Sequence, residues 1–196
     1  MLRNLLCSAI LLVSSLTAAF DIRDFGAVAN DTTLHAEQTN AQAFMDAIVA
    51  ANYTETVSER VVVVPYNFTF NTMPVWAANI SNIVFQIDGT LRLSKAHHKF
   101  PERTPGEIRD MFFFEDVDTI KFQGIGEIDG QGYMWWVREF IGRNKNGRPR
   151  MIWIQRGRNL EFTGVRWTNS PHFHLWLKDI DNLYCHDFEI YVDTKG

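Results

Sequence analysis

Polar side chains that could contact a ligand stand together in one short stretch, Asn169-Ser170-Pro171-His172-Phe173-His174. The amide of Asn169 and the imidazoles of His172 and His174 can donate or accept hydrogen bonds, either to a ligand or within the fold. The alternative interpretation is structural. Asn169-Ser170-Pro171 is also typical of a turn with satisfied side chains, and the two histidines would then be surface or corner residues. The residue types alone leave both interpretations open.

A row of aromatic residues is the second candidate. Phe113, Trp153 and Trp176 share one register in a repeated sequence pattern. On the outside of a sheet such a row can be a platform for stacking sugar rings, or it can pack beneath a covering segment. An inserted segment carries further aromatic residues, namely Tyr133, Trp135 and Trp136. We favour packing beneath this segment, because apolar rows on an outer sheet surface usually need a cover.

The repeated pattern consists of two short alternating segments. Ile152-Trp153-Ile154 and Leu160-Glu161-Phe162 each have the order apolar, variable, apolar, which is typical of short β-strands. Both return 23 positions later, at residues 175–177 and 183–185. A fixed period in the twenties indicates a repeat architecture.

An upstream copy, residues 112–114 and 120–122, precedes the first by 40 positions instead of 23. The surplus falls between Gly130 and Arg148, a segment rich in Gly, Arg and Asn, so we expect a loop inserted into one turn of the repeat. Residues 82–85 form an earlier and less regular copy.

A third apolar position follows the second segment of each copy. Ile125, Val165 and Phe188 occupy it, and we expect all three to point inward. Gly124 and Gly164 stand just before it, where a sharp corner between strands favours a residue without Cβ.

These patterns predict an all-β fold, a right-handed parallel β-helix. Equivalent strands of consecutive copies run in the same direction, so they pair in parallel and stack their inward residues in columns about 4.8 Å apart. The hand is the one favoured for parallel crossovers. Apolar residues at helical spacing over residues 37–51 predict one helix, which we expect to cap the N-terminal end of the stack. The main rival, a leucine-rich horseshoe, needs a Leu/Asn pattern that is missing.

Composition and charge limit the classes of function that the chain could have. The 196 residues, 46% apolar and 13% aromatic, suffice for one domain with a sizeable core. A net charge of −4 without a basic stripe argues against a nucleic-acid partner. The densest positive run, Arg143 to Arg150, lies in the predicted insertion, and we expect a solvated surface loop there. We expect no cofactor and no metal, and the absence of an acidic cluster suited to Ca²⁺ also disfavours a polysaccharide lyase.

The first residues predict export. A positive start at residues 1–3, an apolar stretch at residues 5–13 and small residues up to Ala19 are typical of a secretory signal peptide, too short to span a membrane. We therefore predict a signal peptide at residues 1–19, a β-helix domain at residues 20–196, and a secreted, extracellular protein without a membrane partner.

Two further predictions concern Cys185 and the asparagines that a secreted protein could carry glycans on. Cys185 occupies an inward position of the repeat, which predicts a buried, inert thiol. Four Asn-x-Ser/Thr sequons predict glycosylation on exposed loops; they begin at Asn30, Asn52, Asn67 and Asn79.

Several longer motifs stand in a fixed order. Phe20-Asp21-Ile22-Arg23-Asp24-Phe25-Gly26-Ala27-Val28 opens the chain after the signal peptide. Gly124-Ile125-Gly126-Glu127-Ile128-Asp129-Gly130-Gln131-Gly132 follows, then Trp135-Trp136, Arg148-Pro149-Arg150 and residues 169–174. In this order the motifs resemble those of polygalacturonases and related pectin-degrading, inverting glycoside hydrolases, over essentially the whole chain after residue 19.

The resemblance implies a parallel β-helix that hydrolyses galacturonan, the acidic polysaccharide of pectin, in plant cell walls, and that is a monomer at full length. It places residues 169–174 one coil before the catalytic rows, so Asn169, His172 and His174 would contact substrate at an outer subsite. Inverting hydrolysis needs two carboxyl groups about 6.5–9.5 Å apart.

The catalytic motifs of the resembled family do not occur in this sequence. They are Asn-Thr-Asp-Gly, Asp-Asp, Gly-His-Gly and Arg-Ile-Lys, expected on successive coils after residue 188, so we assign no catalytic residue. No capping helix follows the last coil, and we expect a β-helix incomplete at its C-terminus, inactive and aggregation-prone alone. Alternatives are a non-catalytic glycan-binding or structural β-helix and a polysaccharide lyase. Endo or exo action, and galacturonan or rhamnogalacturonan as substrate, stay open.

Overall fold

The chain folds into a right-handed parallel β-helix with a helix packed on its N-terminal end. A computed structural model describes residues 19–194, so the predicted signal peptide lies outside the described residues except for Ala19. The strands are β1 (Ala19–Asp21), β2 (Val61–Val64), β3 (Thr69–Thr72), β4 (Val75–Ala78), β5 (Ser81–Ile87), β6 (Thr90–Leu93), β7 (Glu102–Thr104), β8 (Glu107–Ile108), β9 (Phe112–Gln123), β10 (Glu127–Asp129), β11 (Ile152–Thr163), β12 (Arg166–Thr168), β13 (Leu175–His186) and β14 (Glu189–Tyr191). The α-helices are α1 (Leu34–Tyr53) and α2 (Tyr133–Phe140).

Two parallel sheets form the walls. The first has the order β1-β2-β5-β9-β11-β13, with β4 also paired to β9, and the second has the order β14-β12-β10-β6-β3. The register confirms the repeat: Ile154 pairs with Leu177 at a step of 23 and with Phe114 at a step of 40. The less regular copy also lies in register, because Phe85 pairs with Phe122. β7 and β8 form a separate antiparallel hairpin.

The long strands of the first sheet each bend at a corner built from left-handed residues. Two such residues three positions apart recur in four successive coils; they are Asn79 and Asn82, Asp116 and Thr119, Arg156 and Asn159, and Asp179 and Asn182. A left-handed conformation costs a residue with a Cβ about 1–2 kcal/mol. Hydrogen bonds between coils offset this cost, since Asn182 donates to Asn159 at 3.1 Å and Asn159 donates to Asp118 at 2.9 Å.

Stacked aromatic residues fill the interior. Phe85, Phe122 and Phe162 form a column with ring centroids 4.6 and 5.3 Å apart, and all three are fully buried. Cys185 continues this column but is exposed, so the prediction of a buried thiol is wrong. The reason is that, within residues 19–194, no strand pairs with the far edge of β13.

Helix α1 covers the N-terminal end of the stack, as predicted, and is longer than the apolar pattern suggested. Thr33 caps it by accepting a hydrogen bond from the amide of Ala36, and the Phe44 ring stacks on Phe85 at 5.8 Å. Glu37 is buried on this helix and accepts a hydrogen bond from the Ser94 hydroxyl at 2.6 Å. No helix of residues 19–194 is long and apolar enough to cross a membrane.

Two local predictions need correction. The insertion after Gly130 is not only a loop, because it contains α2, whose apolar spacing is masked by the surrounding Gly-rich sequence. Ile125 is 77% exposed instead of inward. The connection after β9 has three residues where the one after β11 has two, so the additional residue moves Ile125 out of the column that Val165 occupies.

The lengths of the connections differ strongly between corners. Those from the second sheet back to the first comprise residues 73–74, 94–111, 130–151 and 169–174, from two to 22 residues. All other connections within the coils stay between two and four residues. Variation in length is therefore confined to one corner of the β-helix.

Candidate functional site

The long connections border the outer surface of the first sheet. They lead into β9, β11 and β13, whose first halves expose an aromatic column between them. Trp76, Phe113, Trp153 and Trp176 pair row by row, which confirms the shared register of the last three. We call this column and the arginines on it the aromatic face.

Trp153 is the centre of the aromatic face. The guanidinium groups of Arg103 and Arg150 lie 4.2 and 4.1 Å from its ring centroids, and Phe113 packs 4.8 Å away. Trp153 is consequently only 7% exposed, whereas its neighbour Trp176 is 40% exposed. The face thus combines a covered tryptophan, an open tryptophan and two cations.

The expectation that the column packs beneath the inserted segment is met in part, because Arg150 at the end of the connection 130–151 lies over Trp153. The aromatic residues of that segment have other contacts: Trp135 packs against His97 and Phe100, and the Trp136 indole donates to the carbonyl oxygen of Ser170 at 3.0 Å. The cover comes from arginines of two connections. Their flat guanidinium groups can stack on indole rings while their charge stays near solvent.

Carboxylates hold both arginines in place. Asp110 is buried and accepts two hydrogen bonds from the Arg150 guanidinium, at 2.7 and 3.0 Å, and one from its backbone amide at 2.7 Å. Glu107 pairs with Arg103, and this hydrogen bond is the main reason that the pKa of the Glu107 carboxyl lies below its usual value. The two cations are therefore positioned before any ligand binds.

Two polar hydrogens on the aromatic face lack acceptors. Among the residues that the structure describes, the indole nitrogen of Trp153 and Nε of Arg103 are buried without a hydrogen-bond partner. Leaving a buried donor unsatisfied costs about 1–3 kcal/mol. An oxygen-rich ligand that reached these two donors would satisfy them.

The predicted residues of the 169–174 turn have different environments. Asn169, in a left-handed conformation, donates to Asp129 at 3.3 Å and accepts from the backbone amide of Asp193 at 2.8 Å. The ring of His174 accepts from the Ser170 amide at 3.4 Å, and burial lowers its pKa. These contacts match the structural interpretation for Asn169 and His174.

His172 is placed differently. Its ring is exposed and packs on Phe173 at 4.1 Å, and Phe173 in turn packs on Trp176 at 4.9 Å. Partial burial, together with Arg148 and Arg150, lowers the pKa of the imidazole, so the neutral ring dominates at neutral pH. The turn thus brings His172 next to the open end of the aromatic face and leaves the other two inside the turn.

Sequence reasoning missed Arg103, Arg109 and Arg150 as parts of the face. Arg109 lies 5.6 Å from the centroid of Trp76 and extends the cationic row by one position. A signal for Arg150 was present, because it stands 40 positions after Asp110, the step that relates β9 to β11. Arg103 had no such signal, since the β7–β8 hairpin lies outside the repeat.

The sequons lie in unlike settings. Asn67 and Asn79 occupy exposed left-handed positions, and Asn30 is exposed with its side-chain oxygen accepting from the Thr69 amide at 3.3 Å. Asn52 is half-buried on α1, where its amide bonds the backbone at residues 79 and 81. In residues 19–194, no three His, Cys, Asp or Glu side chains are grouped to hold a metal ion.

Comparison with known proteins agrees with the fold and the motifs. Residues 54–195 match the sequence profile of Glycosyl hydrolases family 28. Polygalacturonase QRT2 of Arabidopsis thaliana is 26% identical over 84% of this chain and 36% of its own length. A polygalacturonase of Juniperus ashei is 30% identical over 63% of this chain and 25% of its own. The chain thus spans about a third or less of these two relatives.

Solved structures show the same fold. Endo-xylogalacturonan hydrolase from Aspergillus tubingensis superposes with a TM-score of 0.67 over 80% of this chain and 41% of its own, at 22% identity. Polygalacturonase from Erwinia carotovora superposes with a TM-score of 0.63 over 77% of this chain and 46% of its own, also at 22% identity. Because the family profile matches most of the sequence, the chain belongs to Glycosyl hydrolases family 28.

Proposed function

We propose that this chain forms the N-terminal part of the substrate-binding surface of a secreted glycosidase that degrades pectin in plant cell walls. Family membership and the polygalacturonase relatives support this proposal. The single observation that carries it is Trp153 in contact with the guanidinium groups of both Arg103 and Arg150, beside the open ring of Trp176.

This arrangement suits an acidic sugar polymer for two physical reasons. A galacturonate unit has an apolar ring face, for which an exposed indole offers stacking area. It also has a carboxylate, which can accept a charged hydrogen bond from those guanidinium nitrogens of Arg150 and Arg103 that Asp110 and Glu107 do not engage. A neutral polysaccharide would use only the indole surface, and an anion without a sugar ring would use only the arginine donors. His172, at the open end of the face, adds a hydrogen-bonding group for a hydroxyl or carboxylate.

The hydrolytic step is assigned to the full-length protein. An inverting mechanism needs an acid for the leaving oxygen and a base for water, on carboxyl groups about 6.5–9.5 Å apart. Neighbouring coils about 4.8 Å apart can supply that distance by lateral offset or by two rows. Residues 1–196 contain none of the four expected catalytic motifs, so the proposal gives this chain a binding role and no hydrolytic one. The full-length protein is proposed to act as a monomer.

The test combines binding with hydrolysis. The chain from residue 20 onward is titrated with hexagalacturonate and with the fully methyl-esterified hexamer, and reducing ends released from polygalacturonate are measured in parallel. We expect binding of the acidic hexamer, at least about tenfold weaker binding of the ester because its carboxylates are neutralised, and no release of reducing ends. Equal affinity for the two hexamers would refute carboxylate recognition, and released reducing ends would refute the purely binding role.

A further inference from the structure

A pocket of about 340 Å³ lies between residues 97–102 and the insertion that carries α2. We call it the basic pocket. Its wall includes His97, Trp135, Arg138, Arg143 and Lys145. The volume is within the range of about 300–1,000 Å³ that is usual for small-molecule sites.

The positive charge of the basic pocket is not neutralised locally. No carboxylate of residues 19–194 lies within ion-pairing distance of Arg143 or Lys145. Glu102 is the one acidic residue of the wall, and it accepts a hydrogen bond from Asn146 at 2.7 Å. Arg143 and Lys145 are exposed, as expected for a solvated surface loop over residues 143–150, and both also line this pocket.

The loop that carries these cations is ordered by its own polar contacts. Arg138 donates to the Asn144 side chain at 3.3 Å and to the Arg143 carbonyl oxygen at 3.2 Å. Asn144 donates in turn to the carbonyl oxygen of Trp135 at 2.9 Å. The backbone bearing Arg143 and Lys145 is thus tied to α2, so a ligand would meet a preformed wall.

His97 adds a neutral hydrogen-bonding group. Its ring packs edge-on against Trp135 with centroids 4.8 Å apart. Burial, and then the charge of Arg138, lower the pKa of its imidazole. A neutral imidazole beside several cations can serve a hydroxyl group, which a simple anion-binding site would not need.

The basic pocket and the aromatic face share one structural element. On the β7–β8 hairpin, Arg103 and Glu107 pair with each other, and Arg103 lies over Trp153. Glu102 and Ile108 of the same hairpin line the basic pocket. The two sites are therefore separated only by the thickness of a two-stranded hairpin.

We propose that the basic pocket is a second binding site for a carboxylate-bearing sugar, separate from the aromatic face. The choice of ligand rests on the proposed function, whereas the pocket and its charge do not. A nucleic acid fits less well, because the chain as a whole is acidic and carries no basic stripe. The neutral imidazole of His97, which can bond a hydroxyl group, and the apolar indole of Trp135 favour a sugar acid over a free inorganic anion.

The experiment uses the chain with ¹⁵N-labelled histidine and titrates it with hexagalacturonate. Imidazole resonances report each site separately, since His97 lies in the basic pocket and His172 lies beside the aromatic face. Affinities are then measured for Arg143→Gln and Lys145→Gln. The control is Arg158→Gln, which removes the same charge from an exposed position at another corner, where Arg158 pairs with Asp118.

We expect the resonances of both histidines to shift. Arg143→Gln and Lys145→Gln should each weaken binding about 3–10-fold, as expected for loss of a charged hydrogen bond at a partly exposed site, and Arg158→Gln by less than about twofold. A shift of His172 alone, with all three variants alike, would overturn the second site and leave the proposed function standing. A shift of His97 alone would uphold the pocket and count against the aromatic face. No shift at either residue would overturn both.

Discussion

Replacing Trp176 with alanine tests whether the aromatic face stacks on sugar. Trp176 is 40% exposed. A tryptophan side chain has about 250 Å² of surface, so about 100 Å² is open and a sugar ring on one side covers about half of it. At about 25 cal/mol per Å², the lost contact corresponds to about 1.2 kcal/mol, or about eightfold in Kd. Arg150 should stay in place in the variant, because Asp110 holds it.

The assay is isothermal titration of the chain with hexagalacturonate at constant ionic strength, with thermal unfolding as a check that the variant is folded. Tyr66→Ala is the control, since Tyr66 is an exposed aromatic residue in the connection between β2 and β3, where none of the pocket residues around it belongs to the aromatic face. If Trp176→Ala binds within about twofold of the wild type, or loses no more affinity than Tyr66→Ala, the stacking argument is wrong.

Three further predictions concern stability and modification. Gly124→Ala should lower the free energy of unfolding, measured with denaturant, by about 2–5 kcal/mol, because Gly124 has a left-handed φ and an added Cβ would collide with backbone atoms. Gly142→Ala is the control: its added Cβ would meet no atoms, so it should cost clearly less. Burial raises the pKa of Glu37 above its usual 4.5, so the stability contributed by the neutral acid is fully present below about pH 4.5 and is lost as pH rises through the raised pKa. Glu37→Gln should therefore gain Tm relative to the wild type as pH rises above 4.5, and parallel Tm profiles would contradict this. In secretory expression, mass spectrometry should find a glycan on Asn67 and none on the half-buried sequon of α1; the reverse occupancy would refute the exposure argument.

The strand register was predictable because it is carried by spacing. The steps of 23 and 40 place Leu177 and Phe114 beside Ile154, and the pairing follows them without a shift. The position of Ile125 was not predictable from apolar residues, since one additional residue in a short connection turns a side chain outward. Helix α2 was missed for a related reason: glycines and arginines around it dominate the local composition.

The candidate site was less predictable than the fold. Two of the three turn residues proposed for binding, Asn169 and His174, have polar contacts that their types alone could not distinguish from a ligand contact. Arg103 reaches Trp153 from a hairpin with no counterpart in other coils, so no periodic argument could place it. Contacts made by irregular connections depend on three-dimensional closure, which residue spacing does not encode.

Because length variation is confined to one corner, the coils keep short connections of nearly constant length elsewhere, and only the connections at this corner differ strongly in length. The left-handed corner residues and the tight glycine corner hold the other connections to two to four residues, because a longer segment would break the hydrogen bonds between coils. The 18 residues at 94–111 and the 22 at 130–151 are not independent of the coils, because Phe100, Met111, Trp135 and Met151 belong to the core and Phe100 packs on Trp135 across the two connections. Grafting both connections together from a relative with another specificity, with these four core positions kept, should transfer recognition while leaving the unfolding transition of the coils unchanged.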